Sequence, residues 1–361
     1  MTEKVDLHPC PYKSLPATSY WRRAVSNVPA ADIDPVLSPK FSISETDRVA
    51  TAGSCFAQHI ARYMKRSGFN YFVTEPGHAL LNEALLGKFN FGTFSARYGN
   101  IYTTRQLLQL LERAYGLRHP IDDMWEAQDG IIDPFRPFIQ PGGFTCREEF
   151  QADREQHFAA VRRIVEEADV FVFTLGLTEA WENAADGAVY AICPGCGAGT
   201  HDPSIHRFHN FDVSEVTDDL QAAIEFITKQ NPAIRILLTV SPVPLIATFE
   251  PQHVLASTTY SKSVLRVAAQ AATNQYDHVD YFPSYEIITS SFSRGAYFAE
   301  DLRDVEETGV SHAMRCFFRN YLQGVPEGLG EPDQIQSQSS SATTASERIN
   351  DLVCDEERLV D

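Results

Sequence analysis

The chain has 361 residues, 43% hydrophobic and 22% charged, with 20 Gly and 20 Pro. This ordinary globular alphabet excludes collagen, coiled coil and wholesale disorder, and it suffices for one large domain or two modest ones. Thirty Lys plus Arg against 48 Asp plus Glu give a formal net charge of −18, a surface that repels phosphate backbones and argues against nucleic-acid partners.

Short apolar runs alternate with helical stretches along the chain, the pattern of a parallel sheet covered by helices. Residues 1–40 read as an N-terminal extension packed on the domain, and its start, Met1–Tyr20, has acids among its bases and lacks the apolar core of a secretory signal. Arg48–Ala52 is a predicted strand, and Phe56–Ser67 is an amphipathic helix with Ile60, Tyr63 and Met64 on one side. Gly68 stops that helix, and Asn70–Val73 is extended. Thr104–Tyr115 carries a wide leucine face, and Glu148–Ala168 is a long charged helix leading into the buried-type strand Val170–Thr174. Val213–Lys229 is a helix stopped by Asn231-Pro232, and Ile234–Val240 is a strand halted by Ser241-Pro242. A helix over Ser261–Tyr276, a strand over Val279–Phe282 and a helix carrying Val310, Ala313, Met314 and Phe317 complete the domain at about residue 323.

Residues 324–361 contain nine acids and two bases, so −7 of the charge falls there and −11 on the body. With the polar run Gln334–Ser346, this tail reads as disordered. No apolar run approaches the roughly 18 residues of a membrane span. Seven scattered cysteines read as reduced thiols, and the expected location is cytoplasmic.

Ligands in open parallel sheets sit beyond the carboxyl ends of the strands. Those ends are Gly53-Ser54-Cys55, Gly176-Leu-Thr178-Glu179 and Ser241-Pro-Val-Pro244. At the first, a Gly permits a sharp bend, and the next Ser presents its hydroxyl beside helix N–H groups that can stabilise an oxyanion. Ser54 alternatively caps the helix. Cys55 is a second nucleophile candidate or a small core residue. Cys193-Pro-Gly-Cys196, followed by His201, His206 and His209, has the elements of a zinc site without the usual spacing. The expectation is therefore no metal and no cofactor, with this segment a loop lining the site.

The block Gly53-Ser-Cys-Phe-Ala57 resembles the signature of the GSCFA family, a branch of the SGNH (GDSL-like) hydrolase fold. Phe173–Trp181, Leu238–Val243, Ser261-Lys262 and Tyr281–Ile287 are similar to further stretches of that family, over roughly residues 40–320. The resemblance implies a three-layer α/β/α sandwich with a mainly parallel, about five-stranded sheet. It also implies an esterase or acyltransferase on O-acyl groups, including those of carbohydrate. Ser54 then falls at the nucleophile, Gly99 at the second-block Gly beside Asn100, and Thr178 where the third-block Asn donor stands. Glu286 lies within the matching stretches, either as a site group or as a structural carboxylate.

The last block of the fold is Asp-x-x-His. Asp301 matches its Asp, but Asp304 occupies the His place. A free Asp titrates at about 3.9 against about 6.5 for His, so it is a poor base for a serine. The base is Asp304, His312 or His209. His312 lies away from the apolar face of its helix, which reads as a solvated position. The rival to an enzyme is a non-catalytic relative that binds a carbohydrate, an acyl thioester or a protein.

Overall fold

The computed structural model describes residues 10–128, 130–323 and 359. Its frame is a parallel sheet of four strands in the order β1 (Val49–Gly53), β4 (Val170–Leu175), β7 (Arg235–Val240) and β8 (Val279–Tyr281). The registers Val49↔Val170, Val170↔Arg235 and Ile236↔Val279 align the strands, so their carboxyl ends share one edge. Near-continuous apolar runs are what a sheet buried on both faces requires.

Alternation along the strands divides the core. Ala50, Ala52, Phe171, Phe173, Ile236 and Leu238 face one side. There they meet α3 (Thr104–Ala114), α4 (Arg147–Glu167), α5 (Val213–Gln230) and α6 (Val254–Gln275). Val49, Val170, Val172 and Leu237 face the other side, against α1 (Ala57–Arg66), α7 (Ser284–Thr289) and α8 (Glu307–Tyr321). The result is three layers. Capping boxes start α3 (Thr103 with Gln106) and α5 (Asp212 with Glu215) by satisfying amides that a helix cannot bond internally.

The expected fifth strand is reduced to a bridge. Val49 donates to Asn70 O (3.0 Å) and accepts from Phe72 (2.8 Å), but two residues later the Thr51 amide is taken by Ser95 Oγ at 2.9 Å. A side chain thus ends the ladder. Helix α6 begins seven residues before the expected Ser261, because His253 Nδ1 accepts the Leu255 amide and starts it early. Its first turns include Ser257, Thr258 and Thr259, whose weak helix preference masks them in the sequence.

Two antiparallel hairpins were not expected. One joins β2 (Trp125–Ala127) to β3 (Gly130–Ile132). The other pairs β5 (Glu179–Asn183) with β6 (His206–Asn210), placing Trp181 opposite Phe208. The histidine-containing segment read as a loop is therefore partly strand. A short helix, α2 (Glu83–Lys88), lies in the connection after α1. Residues 33–43 run along α8, with Ile43 N donating to Tyr321 O (2.6 Å) and Asn320 Nδ2 to Asp34 (2.8 Å). The tail expected to be disordered lies outside the described residues, Leu359 excepted. Among the described residues no helix is long and apolar enough to cross a membrane.

Buried charges fasten the connection that leads to the site. Arg97 donates its amide to Glu75 (2.6 Å) and its guanidinium to Asp153 (2.7 Å) and Ile139 O (2.8 Å). Arg136 joins Asp133 (3.0 Å) to the same Asp153 (2.9 Å), and His157 Nδ1 lies 2.7 Å from Glu75. Burial raises the Glu75 pKa, but His157, Arg136 and the Arg97 amide outweigh it and hold the carboxyl at about 2.

The folded pKa of Glu75 is depressed from 4.5, so its stabilisation is complete above about pH 4.5 and lost as pH falls through about 2. Chemical denaturation across that window should show a loss on the order of 3 kcal/mol from this group. Glu75→Gln should be less stable at pH 7 and show an acid-side slope shallower by about one proton. An unchanged slope would remove Glu75 from this role.

Candidate functional site

The turn after β1 is set by one glycine. Gly53 has φ +131°, and a Cβ there would lie 2.3 Å from Thr174 O. Its carbonyl accepts the Ile101 amide (2.8 Å), while the Ser54 amide donates to Thr174 O (3.1 Å) and the Ser54 carbonyl accepts from Ala57 (2.9 Å). The chain thus passes from sheet to helix with almost no linker. Ser54 is only 2% exposed, and its Oγ has no hydrogen-bond partner among the described residues. It does not cap α1, whose N-cap is Phe56 without a side-chain bond.

The Thr174 hydroxyl is a second buried oxygen without a partner among the described residues. Thr174 is the register partner of Gly53, so two unsatisfied hydroxyls lie at adjacent strand ends. Buried polar atoms are normally bonded, and exceptions ask for an explanation. Sequence reasoning missed Thr174 because a Thr within a strand carries no motif.

Ile101, which bonds Gly53, follows Gly99 (φ +70°) and the buried Asn100, bringing the second block against the first. Gly176 is packed so closely on Tyr102 that an added Cβ would lie 3.0 Å from it. The Gly176 and Leu177 amides both donate to Tyr102 O, at 2.9 and 3.1 Å. Thr178 has both donors engaged: its amide with Ser261 Oγ (3.0 Å) and its hydroxyl with Asn210 Oδ1 (2.7 Å). The buried Lys262 donates to Gly176 O at 2.6 Å. Ser261-Lys262 therefore braces the third block from behind.

The acidic block is a tight loop. Asp301 Oδ1 accepts the amides of Arg303 (3.0 Å) and Asp304 (3.1 Å), and Leu302 between them has φ +57°. The Arg303 amide, with that of Asp304, lowers the Asp301 pKa. The Asp304 side chain is 64% exposed, 3.6 Å from Arg303. His312 departs from its expected solvated position: it is 2% exposed, because residues 33–43 cover that side of α8. Its Nε2 meets Ile33 O (2.8 Å) and its Nδ1 the Tyr297 hydroxyl (2.7 Å), and burial lowers its pKa. His209 on β6 lies between Glu182 (3.3 Å) and Glu215 (3.0 Å). Neither histidine has a ring nitrogen on Ser54.

A third histidine was overlooked. His59, on α1, is buried with its Nδ1 unpartnered and its ring against Phe56. Burial, aided by Arg62, lowers its pKa to about 3, which makes it a feeble base. Glu286 accepts from Arg266 Nε (2.6 Å) and the Tyr281 hydroxyl (2.8 Å), a carboxylate tied into the fold. Cys55 is buried.

Beside the third block lies an apolar cavity of about 380 Å³, lined in part by Tyr102, Leu177, Trp181, Phe208, Leu245 and Phe249. Glu179 is also at its wall, accepting from Thr248 (2.6 Å) and the Phe249 amide (3.2 Å). Burial, with Glu250 nearby, raises the Glu179 pKa. Cys193, Cys196 and His201 line the cavity too. Burial, with Cys196 beside it, pushes the Cys193 thiol up to about 12, so it is no thiolate at neutral pH. Among the described residues no group of three or more His, Cys, Asp or Glu could hold a metal.

A family model described as the GSCFA family matches residues 48–317. No curated protein and no solved structure matches the chain.

The Gly53 geometry sets a clear expectation. Gly53→Ala should be destabilised by about 3 kcal/mol or more, since a disfavoured φ adds to a clash with immobile backbone. Gly99→Ala, with no crowding at its Cβ, should cost only about 1 kcal/mol. Denaturation midpoints test this, and equal losses at the two positions would contradict it.

Proposed function

Because the chain belongs to the GSCFA family, we propose that it is a serine-dependent ester hydrolase or O-acyltransferase, with carbohydrate esters among its substrates and Ser54 as its nucleophile. The observation that carries this reading is the buried, unpartnered Ser54 Oγ on a strained strand-to-helix turn. A hydroxyl so placed is left without its normal hydrogen bonds, a cost that a structural serine would not retain.

In this reading Ser54 Oγ attacks the ester carbonyl carbon and its proton passes to a base. The tetrahedral oxyanion is held by Gly99 and Asn100, because the amides of Ser54, Ala57, Gln58 and His59 are already given to the carbonyls of Thr174, Ser54, Cys55 and Phe56. Collapse expels the alcohol, which takes up a proton, and leaves an acyl-serine. Water then releases the acid, or an acceptor hydroxyl takes the acyl group. Asp301 positions the last block through the amides of Arg303 and Asp304. Thr178 braces Asn210 instead of donating to the oxyanion, since both its donors are already used.

The base is where catalysis is weakened. Asp304, at the expected His position, is exposed and beside Arg303, and His209 and His312 hold other partners. That same observation favours a second reading, a non-catalytic protein that binds a carbohydrate, an acyl thioester or a protein through the same edge.

The purified protein should release p-nitrophenol from p-nitrophenyl acetate slowly, and Ser54→Ala should lower that rate by about a thousandfold or more. Equal rates in both proteins sink the nucleophile assignment. Asp304→His should raise the rate of an Asp304-limited enzyme by at least about a hundredfold. An inactive parent that Asp304→His does not awaken favours the binding protein.

A further inference from the structure

The cavity beside the third block carries an inference independent of Ser54 chemistry. Its walls include the connection into α3 (Tyr102), the β5–β6 hairpin (Trp181, Phe208) and the segment after β7 (Leu245, Phe249). Trp181 is the pivot. Its ring lies edge-on to Phe249 at 4.9 Å, Phe208 at 5.9 Å and His201 at 5.1 Å. Phe249 is nonetheless 66% exposed, a large apolar group left at the rim. Exposed apolar surface around a concave site marks a place where something binds.

One further wall residue comes from far along the chain. Leu359 lines this cavity and is 38% exposed, far less than the 70% of a loop leucine such as Leu302. Gln323, at the other end of the intervening segment, bonds Ile43 O near the amino edge of the sheet. The cavity opens beyond the carboxyl edge, roughly 20 Å away along a six-residue strand. Thirty-six residue steps can span up to about 120 Å, so reach imposes no obstacle. The amino acids around Leu359 are Glu356, Glu357, Arg358, Val360 and Asp361. In that acidic setting a leucine is one of few side chains suited to an aromatic rim.

We propose that this cavity is a binding site for an aliphatic chain of the size of a medium-length acyl group, and that Leu359 forms its outer wall. Walls made mostly of aromatic and aliphatic side chains, with Glu179 already held by Thr248 and Phe249, match an uncharged, flexible chain better than a sugar or an ion. Leu359 adds to this wall from a distant part of the sequence. Because it is tethered, a contact too weak to hold a free leucine is populated in cis.

The test uses the full chain and 1-octanol, a neutral probe that no esterase can hydrolyse, with affinity read by calorimetry and by tryptophan emission. The wild type should bind, Leu359→Asp should bind about tenfold more weakly, and Leu359→Met should stay within about twofold of the wild type. Ala247→Phe, which fills the cavity from a wall that is not part of the sheet, should abolish binding. An affinity unchanged in Leu359→Asp overturns the role of the tail. A tighter affinity there also overturns it, because the leucine would then compete for the space. Failure of the wild type to bind, or binding retained in Ala247→Phe, overturns the site itself. A Leu359→Asp effect that depends on protein concentration would assign the leucine to a second copy and overturn the cis arrangement.

Discussion

The contact between Gly53 and the backbone of Thr174 is the constraint on which the candidate site depends. With no side chain at 53, β1 approaches β4 closely enough for the Ser54 amide to reach Thr174 O while the chain is already turning into α1. Ser54 Oγ and Thr174 Oγ1 are both buried at these adjacent strand ends, with no hydrogen-bond partner for either among the described residues. A conformation available chiefly to glycine is thereby converted into a local polar deficit. Such a deficit persists only because the surrounding sheet over-determines the backbone.

The second block reaches this turn through a different kind of force. Arg97, bonded to Glu75, Asp153 and Ile139 O, fixes the chain two residues before Gly99. Arg136 completes the charge balance around it, and His157, whose pKa burial lowers, adds a hydrogen bond to Glu75. Buried ion pairs add little net stability, but removing one partner leaves a charge stranded at a cost of about 3–5 kcal/mol. The network therefore acts more as a positional lock than as a source of stability. Ser261 and Lys262 lock the third block in the same way from α6.

The acid block holds two aspartates in very different surroundings. Asp301 keeps the geometry of a loop-forming residue by accepting two amides, which needs only a carboxylate. Asp304 has no comparable contact and turns toward solvent and Arg303. The buried histidines meanwhile serve the fold: His312 joins the N-terminal segment to α8, and His209 sits between two carboxylates. Neither of these two histidines has a ring nitrogen bonded to the Ser54 turn.

Much of this was legible in the amino-acid order. The parallel strands, the helices between them, the Gly53-Ser54 turn and the family all follow from local apolar runs, caps and a contiguous motif, because each depends on neighbours in sequence. Three things were decided only by tertiary structure. Ser95 Oγ takes the Thr51 amide and cuts the sheet to four strands, a contact across 44 residues. Residues 33–43 bury His312, although its helix position alone reads as solvated. The apolar cavity is assembled from Tyr102, Trp181, Leu245 and Leu359, none of which is near another in the chain. Periodicity reports which face of an element is apolar, but not what covers the opposite face. Coverage, hydrogen-bond satisfaction and cavity walls are set by distant segments, and only the folded chain brings those segments together.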